Sequence, residues 1–250
     1  MNSTFEKIKS DLKSLGLTEN ENLLVHSSLR SLGGLPEAAE TVITALLEIL
    51  GPGGTLLLPA LSYRDVNRDN PVFDLLDTPA CIGALPEYFR KRPGTQRSIH
   101  PTHSVCGIGK NAALLLGTHQ NDSTPCGPNS PYFKLNELGG KILFIGCGLN
   151  PNTSMHAVEE LVEPEYLFSD FINYRIILPG DRETCMRVRR HNFKGWNQAY
   201  ARLLNIMDRR NLKQGKILNA DCYLVEVCSM WEKAYKALKK DPLYFVTPAS

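Results

Sequence analysis

Two short apolar runs with one helix-length segment between them constrain this chain more than any other feature. Residues 22–28 (NLLVHSS) carry Leu23, Leu24 and Val25, and Thr55–Pro59 (TLLLP) repeats the character of a short strand with no polar face. Residues 36–50 read as a helix with Pro36 near its first turn, and Gly51-Pro52-Gly53-Gly54 as the turn that follows it. A strand, a helix of this length and a second strand make a crossover between parallel neighbours, covered on both faces. A third run, Lys141–Ile145 (KILFI), is equally short and apolar and is ended by Gly146 and Gly148. The N-terminal part, about residues 1–165, is therefore expected to be α/β with a largely parallel sheet.

The rest of the chain fits around that sheet. Residues 4–16 place Phe5, Ile8, Leu12 and Leu15 at helical spacing, with Gly16 closing the helix. Residues 60–79 are rich in Asp, Asn and Arg, lack a clear period, and read as a long loop of the kind that lines binding sites, although a solvated loop fits equally. Short helices are expected over 82–91, with Leu85, Tyr88 and Phe89 inward, and over 132–138. Beyond Glu160 the pattern changes. Residues 171–178 and Arg182–His191 alternate as a hairpin about Pro179-Gly180-Asp181, 196–209 reads as helical, 215–220 and 222–227 as a second extended pair, and 229–240 as an amphipathic helix through Trp231, Ala234, Tyr235 and Leu238. This C-terminal third, about 166–250, is expected to form a smaller antiparallel α/β lobe within one domain of 250 residues.

Charge and cysteine usage exclude several function classes. With 28 Lys and Arg against 26 Asp and Glu, the net charge of +2 gives no reason to expect nucleic acid or an acidic membrane as partner. The seven cysteines are scattered without a CxxC pair, the first residues lack the apolar stretch of a signal peptide, and no run approaches a membrane span. A cytoplasmic protein with reduced thiols is expected. A homodimer is one assembly open to it.

The segment with most chemistry is 141–160, KILFIGCGLNPNTSMHAVEE. Asn150-Pro151-Asn152 is turn chemistry, Thr153 or Ser154 can cap the next helix, and His156 falls in its first turn with Glu159 three residues on, along the same face. An imidazole beside a carboxylate where a strand hands over to a helix has the makings of an oriented general base, and equally describes a surface pair on an ordinary helix. Residues His26, Ser27, Ser28, Leu29 and Arg30, ahead of Gly33-Gly34, form a strand–helix junction that offers hydroxyls and a cation to a phosphate, or simply a capped turn. Residues 97–112 contain HPTH. Its His100 and His103 invite a metal, but Pro101 makes the pair extended and no further ligand stands at a recognisable spacing, so no metal is assigned. Ser98, Thr102 and Ser104 suit hydrogen bonding to an amide-bearing arm of a ligand. In TPCGPNSP, Cys126 reads as a small buried residue rather than a nucleophile. Arg187, Arg189 and Arg190 read as a solvated face, with an anion contact as the other possibility.

Several stretches together resemble the aminoglycoside 3-N-acetyltransferases and their relatives: LLVHSSLRSLGG, GPGGTLLLPALS, FRKRPGTQRSIHPTHSVCGIGKNA, TPCGPNSPYFKL, GGKILFIGCGLNPNTSMHAVEE and, near the C-terminus, DPLYF. They stand in the family's order over nearly the whole chain. The resemblance implies a three-layer α/β/α fold, acetyl-coenzyme A as co-substrate, no metal, and transfer of an acetyl group to an amine of an aminocyclitol antibiotic, the 3-amino group of 2-deoxystreptamine. It implies His156 as the base that deprotonates the amine, Glu159 as the group that fixes the imidazole, and Thr153 as a hydroxyl near the acetyl carbonyl. His26 to Arg30, with Arg97, Ser98, Thr102 and Ser104, would bind the pantetheine arm and phosphates. A polycationic acceptor calls for acidic residues, and Asp65, Asp69, Glu160, Glu163 and Asp170 are the candidates, with Tyr63 beside them in the 60–79 loop. Rival readings are the same chemistry on a biosynthetic amino sugar, a metal-dependent hydrolase using His26, His100 and His103, and a coenzyme-binding module without catalysis.

Overall fold

Alternation inside the apolar strands decides how the core is divided. Leu23 and Val25 point to one face and Leu24 to the other, and each face is covered by its own set of helices. In the computed structural model residues 3–33, 37–180 and 182–249 are described. Gly34, Pro36 and Asp181, expected in turns or at a helix start, lie outside them. In chain order the elements are α1 (Ser3–Leu15), β1 (Asn22–Ser27), α2 (Ala38–Leu50), β2 (Thr55–Pro59), β3 (Val72–Asp74), α3 (Ala84–Lys91), β4 (Gln96–Arg97), β5 (Val105–Gly109), α4 (Ala112–Leu116), α5 (Pro131–Glu137) and β6 (Lys141–Ile145). They continue with α6 (Ser154–Glu160), β7 (Phe168–Leu178), β8 (Arg182–His191), β9 (Trp196–Gln198), β10 (Leu212–Ile217), β11 (Ala220–Glu226), α7 (Val227–Lys240) and β12 (Val246–Pro248).

Seven strands form the main sheet in the order β10-β11-β6-β1-β2-β5-β4. Its centre is the parallel trio expected from the apolar runs, with β1 between β6 and β2. Strands β10, β6, β1, β2 and β4 run one way, while β11 and β5 run the other, so the sheet is largely parallel with antiparallel pairings on both flanks. Helices α1, α2 and α3 pack on the face of Leu23, Val25, Leu56, Leu58, Leu143 and Ile145, and α4 to α7 cover the face of Leu24, Leu57, Ile142 and Phe144. These side chains are at most 1% exposed, and each contributes roughly 1.5–3 kcal/mol by leaving water. The result is a three-layer α/β/α fold. No helix among the described residues is long and apolar enough to cross a membrane.

The C-terminal third divides. The hairpin β7–β8 forms the smaller sheet, whereas β10 and β11 join the main sheet through β6. Four local expectations change. The 60–79 loop contains β3, which pairs in parallel with β7 and brings the loop onto the smaller sheet. The stretch expected to be helical from 196 begins as β9, paired with β12, and only then turns into a 3-10 helix over Tyr200–Asn205. On α3 and α7, Tyr88 and Tyr235 face outward; Pro86 and Met230 take inward positions. On α6, Thr153 occupies the N-cap position but makes no capping bond with its side chain, and the Ser154 hydroxyl accepts a bond from Trp231 Nε1 on α7 at 3.0 Å instead.

Candidate active site

In a parallel sheet, the crevice at the carboxyl ends of the strands lies where the chain order reverses, here on either side of β1. A cavity of about 470 Å³ opens there. Val25, His26 and Ser27 from the end of β1, Pro59 at the end of β2 with Leu61 beyond it, and Cys147, Asn150, Thr153 and His156 after β6 form one side. Tyr63 from the 60–79 loop, Arg190 and His191 at the end of β8, Asn192 and Phe193 just after it, and Gln198 form more of the wall, together with Ile82, Pro86, His103 and Pro151. Gly146 makes the turn out of β6 possible: its φ is +63°, and a Cβ there would sit 1.7 Å from the Ser31 hydroxyl.

His156 is held from behind. Its Nδ1 lies 3.0 Å from Glu159 Oε2 and 2.9 Å from the Tyr200 hydroxyl. Tyr200 donates its only hydroxyl hydrogen to Glu159 Oε2 at 2.7 Å, and Tyr166 donates to Oε1 at 2.9 Å. With that hydrogen committed, the Tyr200 oxygen can only accept from Nδ1, so both contacts require the proton on Nδ1. Nε2 therefore carries the lone pair, makes no hydrogen bond among the described residues, and belongs to a ring that lines the cavity. Glu159 is completely buried and reachable only through these partners. That is the geometry of an oriented general base.

All six histidines of the chain surround this region. Rings of His100, His103, His119, His156 and His191 are linked by centroid distances of 4.7 to 6.3 Å, and His26 lines the same cavity. Burial first, then the repulsion of neighbouring imidazoles, holds His103 and His100 well below the ordinary histidine range, and likewise His191 beside His156. His26 is lowered to about 3 for the same reasons, and its Nε2 has no partner among the described residues. His26, His103 and His191 thus give the cavity wall neutral imidazoles.

Glu160, next to Glu159, points the other way. It accepts from the Thr124 hydroxyl at 2.6 Å and from Cys126 N at 2.8 Å, and lies 2.8 Å from His191 Nε2. Burial raises its carboxyl to about 7 against those hydrogen bonds. Between pH 4.5 and about 7 the unfolded carboxyl is ionised while the folded one still holds its proton. The native state then binds more protons, so stability falls as pH rises across that window and levels off above it. The span corresponds to on the order of 3 kcal/mol. Glu160→Gln, which cannot ionise, should flatten the dependence of denaturation midpoint on pH over that range; an unchanged slope would contradict the assignment.

The other expected site residues fall into two groups. Thr153, His26, Ser27 and Tyr63 line the cavity with His156. Ser28 and Leu29 sit just beyond it, Ser28 N bonding Ile145 O, and Arg30 is exposed. The segment from Arg97 to Ser104 is turned inward instead. Arg97 donates to Ser104 Oγ and to the carbonyls of Ala60, Leu75 and Thr78, at 2.6 to 3.2 Å, and lies over the Phe73 ring. Ser98 bonds His119 and Val105 N, Thr102 bonds His103, and Ser104 donates to Ala60 O. These four residues brace the 60–79 loop and the histidine cluster and do not line the cavity. Asp65, Asp69, Glu163 and Asp170 are exposed and also outside its wall. Sequence reasoning missed Tyr166, Tyr200, His191 and Phe193 altogether; none stands at a telling distance from His156 along the chain. Among the described residues, one group brings three metal-ligating atoms within 4.8 Å, Cys126 with Glu160 and His191, and burial keeps its thiol protonated. His26, His100 and His103 form no such group.

Comparison with known proteins places this geometry. The family model for aminoglycoside 3-N-acetyltransferase matches residues 24–239. Aminoglycoside N(3)-acetyltransferase VII of Streptomyces paromomycinus is 32% identical over 197 residues, 72% of this chain and 68% of that protein. The prophage-derived aminoglycoside N(3')-acetyltransferase-like protein YokD of Bacillus subtilis is 28% identical over 93% of this chain and 91% of its own. Among solved structures, the binary complex of AAC-IIIb with CoASH superposes with a TM-score of 0.83 at 28% identity, covering 99% of both chains. A histidine-to-alanine mutant of AAC(3)-IVa in complex with a gentamicin superposes with a TM-score of 0.82 at 28% identity, over 97% of this chain and 91% of that one. A family match over most of the sequence, on a fold shared from end to end, makes this chain a member of the aminoglycoside 3-N-acetyltransferase family of acyltransferases.

Proposed function

We propose that the protein transfers the acetyl group of acetyl-coenzyme A directly to an amine of an aminoglycoside, the 3-amino group of its 2-deoxystreptamine ring, with His156 as general base. The observation that carries this reading is the tautomer of His156: Nδ1 is committed to Glu159 and Tyr200, and Nε2 is left to the cavity. Acetyl-coenzyme A supplies a thioester, so the N–C bond forms as the C–S bond breaks and sulfur keeps the electron pair. His156 Nε2 takes the proton from the attacking nitrogen and can return it to the departing sulfur. Thr153, one turn before His156, lines the same cavity and would donate to the oxygen that gains charge. His26, Ser27 and the junction up to Arg30 would hold the coenzyme, and the orphaned His26 Nε2 is a polar atom that a ligand would satisfy. Tyr63 and the hairpin wall would receive the acceptor.

Relatives support the two substrates: AAC-IIIb binds CoASH and AAC(3)-IVa binds a gentamicin. Seven unpaired cysteines fit a cytoplasmic setting, where thiols stay reduced. Residues 1–250 would act as one unit, since β10 and β11 share the sheet that carries His26 and the turn to His156. Free-thiol release from acetyl-coenzyme A, measured over a panel of aminoglycosides and simple amines, tests the reading. Release with 2-deoxystreptamine compounds is expected; release with other amines alone would move the acceptor to another class, and no release with any amine would overturn it.

A further inference from the structure

We infer that the cavity also accepts amines carrying an anionic group, a phosphate or a carboxylate, which Arg190 binds; the inference rests on the acetyl-transfer reading above. The hairpin presents three arginines, and their surroundings differ. Arg187 lies over the Phe171 ring at 4.3 Å, and Arg189 lies over Phe168 at 4.2 Å while donating to Ser169 O. Arg190 alone of the three lines the cavity. Its Nη2 donates to the Tyr63 carbonyl at 2.9 Å, which ties the guanidinium to the loop wall, and it forms no ion pair among the described residues. A guanidinium held this way keeps donors in a fixed fork for a second partner, the arrangement that suits phosphate and carboxylate.

No carboxylate lines the cavity among the described residues to offset that charge. Glu159 sits behind His156 and is saturated by two tyrosines. Glu160 is committed to Thr124, Cys126 and His191. The neighbouring groups on this wall, Asn192, Gln198, His103 and His191, are neutral. A polycation enters this cavity against the field of Arg190, whereas an acceptor with one anion near its amine enters with it. The chemistry is unchanged: the amine gains the acetyl group and yields its proton to His156.

The test compares wild type with Arg190→Gln and Arg190→Lys, using glucosamine, glucosamine 6-phosphate, 2-amino-2-deoxygluconate and neamine as acceptors in the thiol-release assay. A calorimetric titration of glucosamine 6-phosphate runs in parallel, because it reads binding without turnover. Glucosamine 6-phosphate should exceed glucosamine in kcat/KM by about tenfold, the worth of one charge-assisted pair. In Arg190→Gln that advantage and the calorimetric affinity should both collapse, Arg190→Lys should restore part of them, and neamine should improve. The 2-amino-2-deoxygluconate arm shows whether carboxylate shares the site with phosphate. Equal use of glucosamine and its phosphate would overturn the inference. So would a raised KM for acetyl-coenzyme A with the acceptor ratio intact, which would assign Arg190 to the coenzyme. If no acceptor is acetylated, the transfer reading fails, and the titration still decides whether Arg190 binds the anion.

Discussion

His156→Ala should lower kcat for acetyl transfer by about 10²–10⁴-fold while acetyl-coenzyme A still binds, because a positioned general base contributes a factor of that size. The ring is 13% exposed at its side chain, faces the cavity, and is backed by polar groups rather than wedged into the core. Its removal opens space toward solvent more than it hollows the interior, so folding should survive. The loss should fall on kcat more than on the KM for the coenzyme, since the expected coenzyme contacts come from β1 and its junction. Steady-state kinetics with a titration of the coenzyme would check both parts. Unchanged turnover would remove His156 from the mechanism.

Substitution of Glu159 should have the largest effect on stability, and two variants separate that effect from catalysis. Glu159→Ala leaves two buried donors without their acceptor, the hydroxyls of Tyr166 and Tyr200, while His156 Nδ1 keeps only the Tyr200 oxygen. An unsatisfied buried donor costs roughly 1–3 kcal/mol, so the variant should lose about 3 kcal/mol or more. For a chain of this size the denaturation midpoint should then fall by roughly 6–12 °C. Glu159→Gln keeps the shape and the bond from Tyr166, but its amide nitrogen faces His156 and donates where the carboxylate accepted. The imidazole must then accept at Nδ1, which moves the proton to Nε2 and turns the base away from the cavity. Glu159→Gln should therefore stay within about 1 kcal/mol of wild type in stability, as expected when the buried groups remain bonded, and still lose turnover. A fully active Gln variant would show that the tautomer does not matter.

The parts of the fold legible in the sequence were those with local causes. Strands β1, β2 and β6 are apolar on both faces because helices cover both, and that leaves a pattern within five or six residues. The His156–Glu159 contact follows from helical spacing alone. Strand β3 was not legible, being three residues inside a run of Asp and Asn, with a partner in β7 about a hundred residues on. Tyr200 reaches Glu159 across 41 positions, and Arg190 reaches Tyr63 across 127, distances at which no periodicity survives. The internal bonding of the Arg97 to Ser104 segment was not legible for a different reason. A guanidinium and hydroxyls that would serve a ligand serve backbone carbonyls equally well, and only burial separates the two uses. Of the acidic residues expected to receive a polycation, Asp65, Asp69, Glu163 and Asp170 are on the surface and Glu160 is buried against Thr124, Cys126 and His191, while the cavity itself presents Arg190.

One mass spectrum tests direct transfer in this cavity. A mixture of the protein, acetyl-coenzyme A and a 2-deoxystreptamine aminoglycoside is sampled during turnover and read for both the amine and the intact protein. Direct transfer to an amine deprotonated by His156 predicts an aminoglycoside carrying one acetyl group and a protein whose mass never changes. An unmodified aminoglycoside, or an acetyl adduct on the protein that forms first and then passes to the amine, would contradict it.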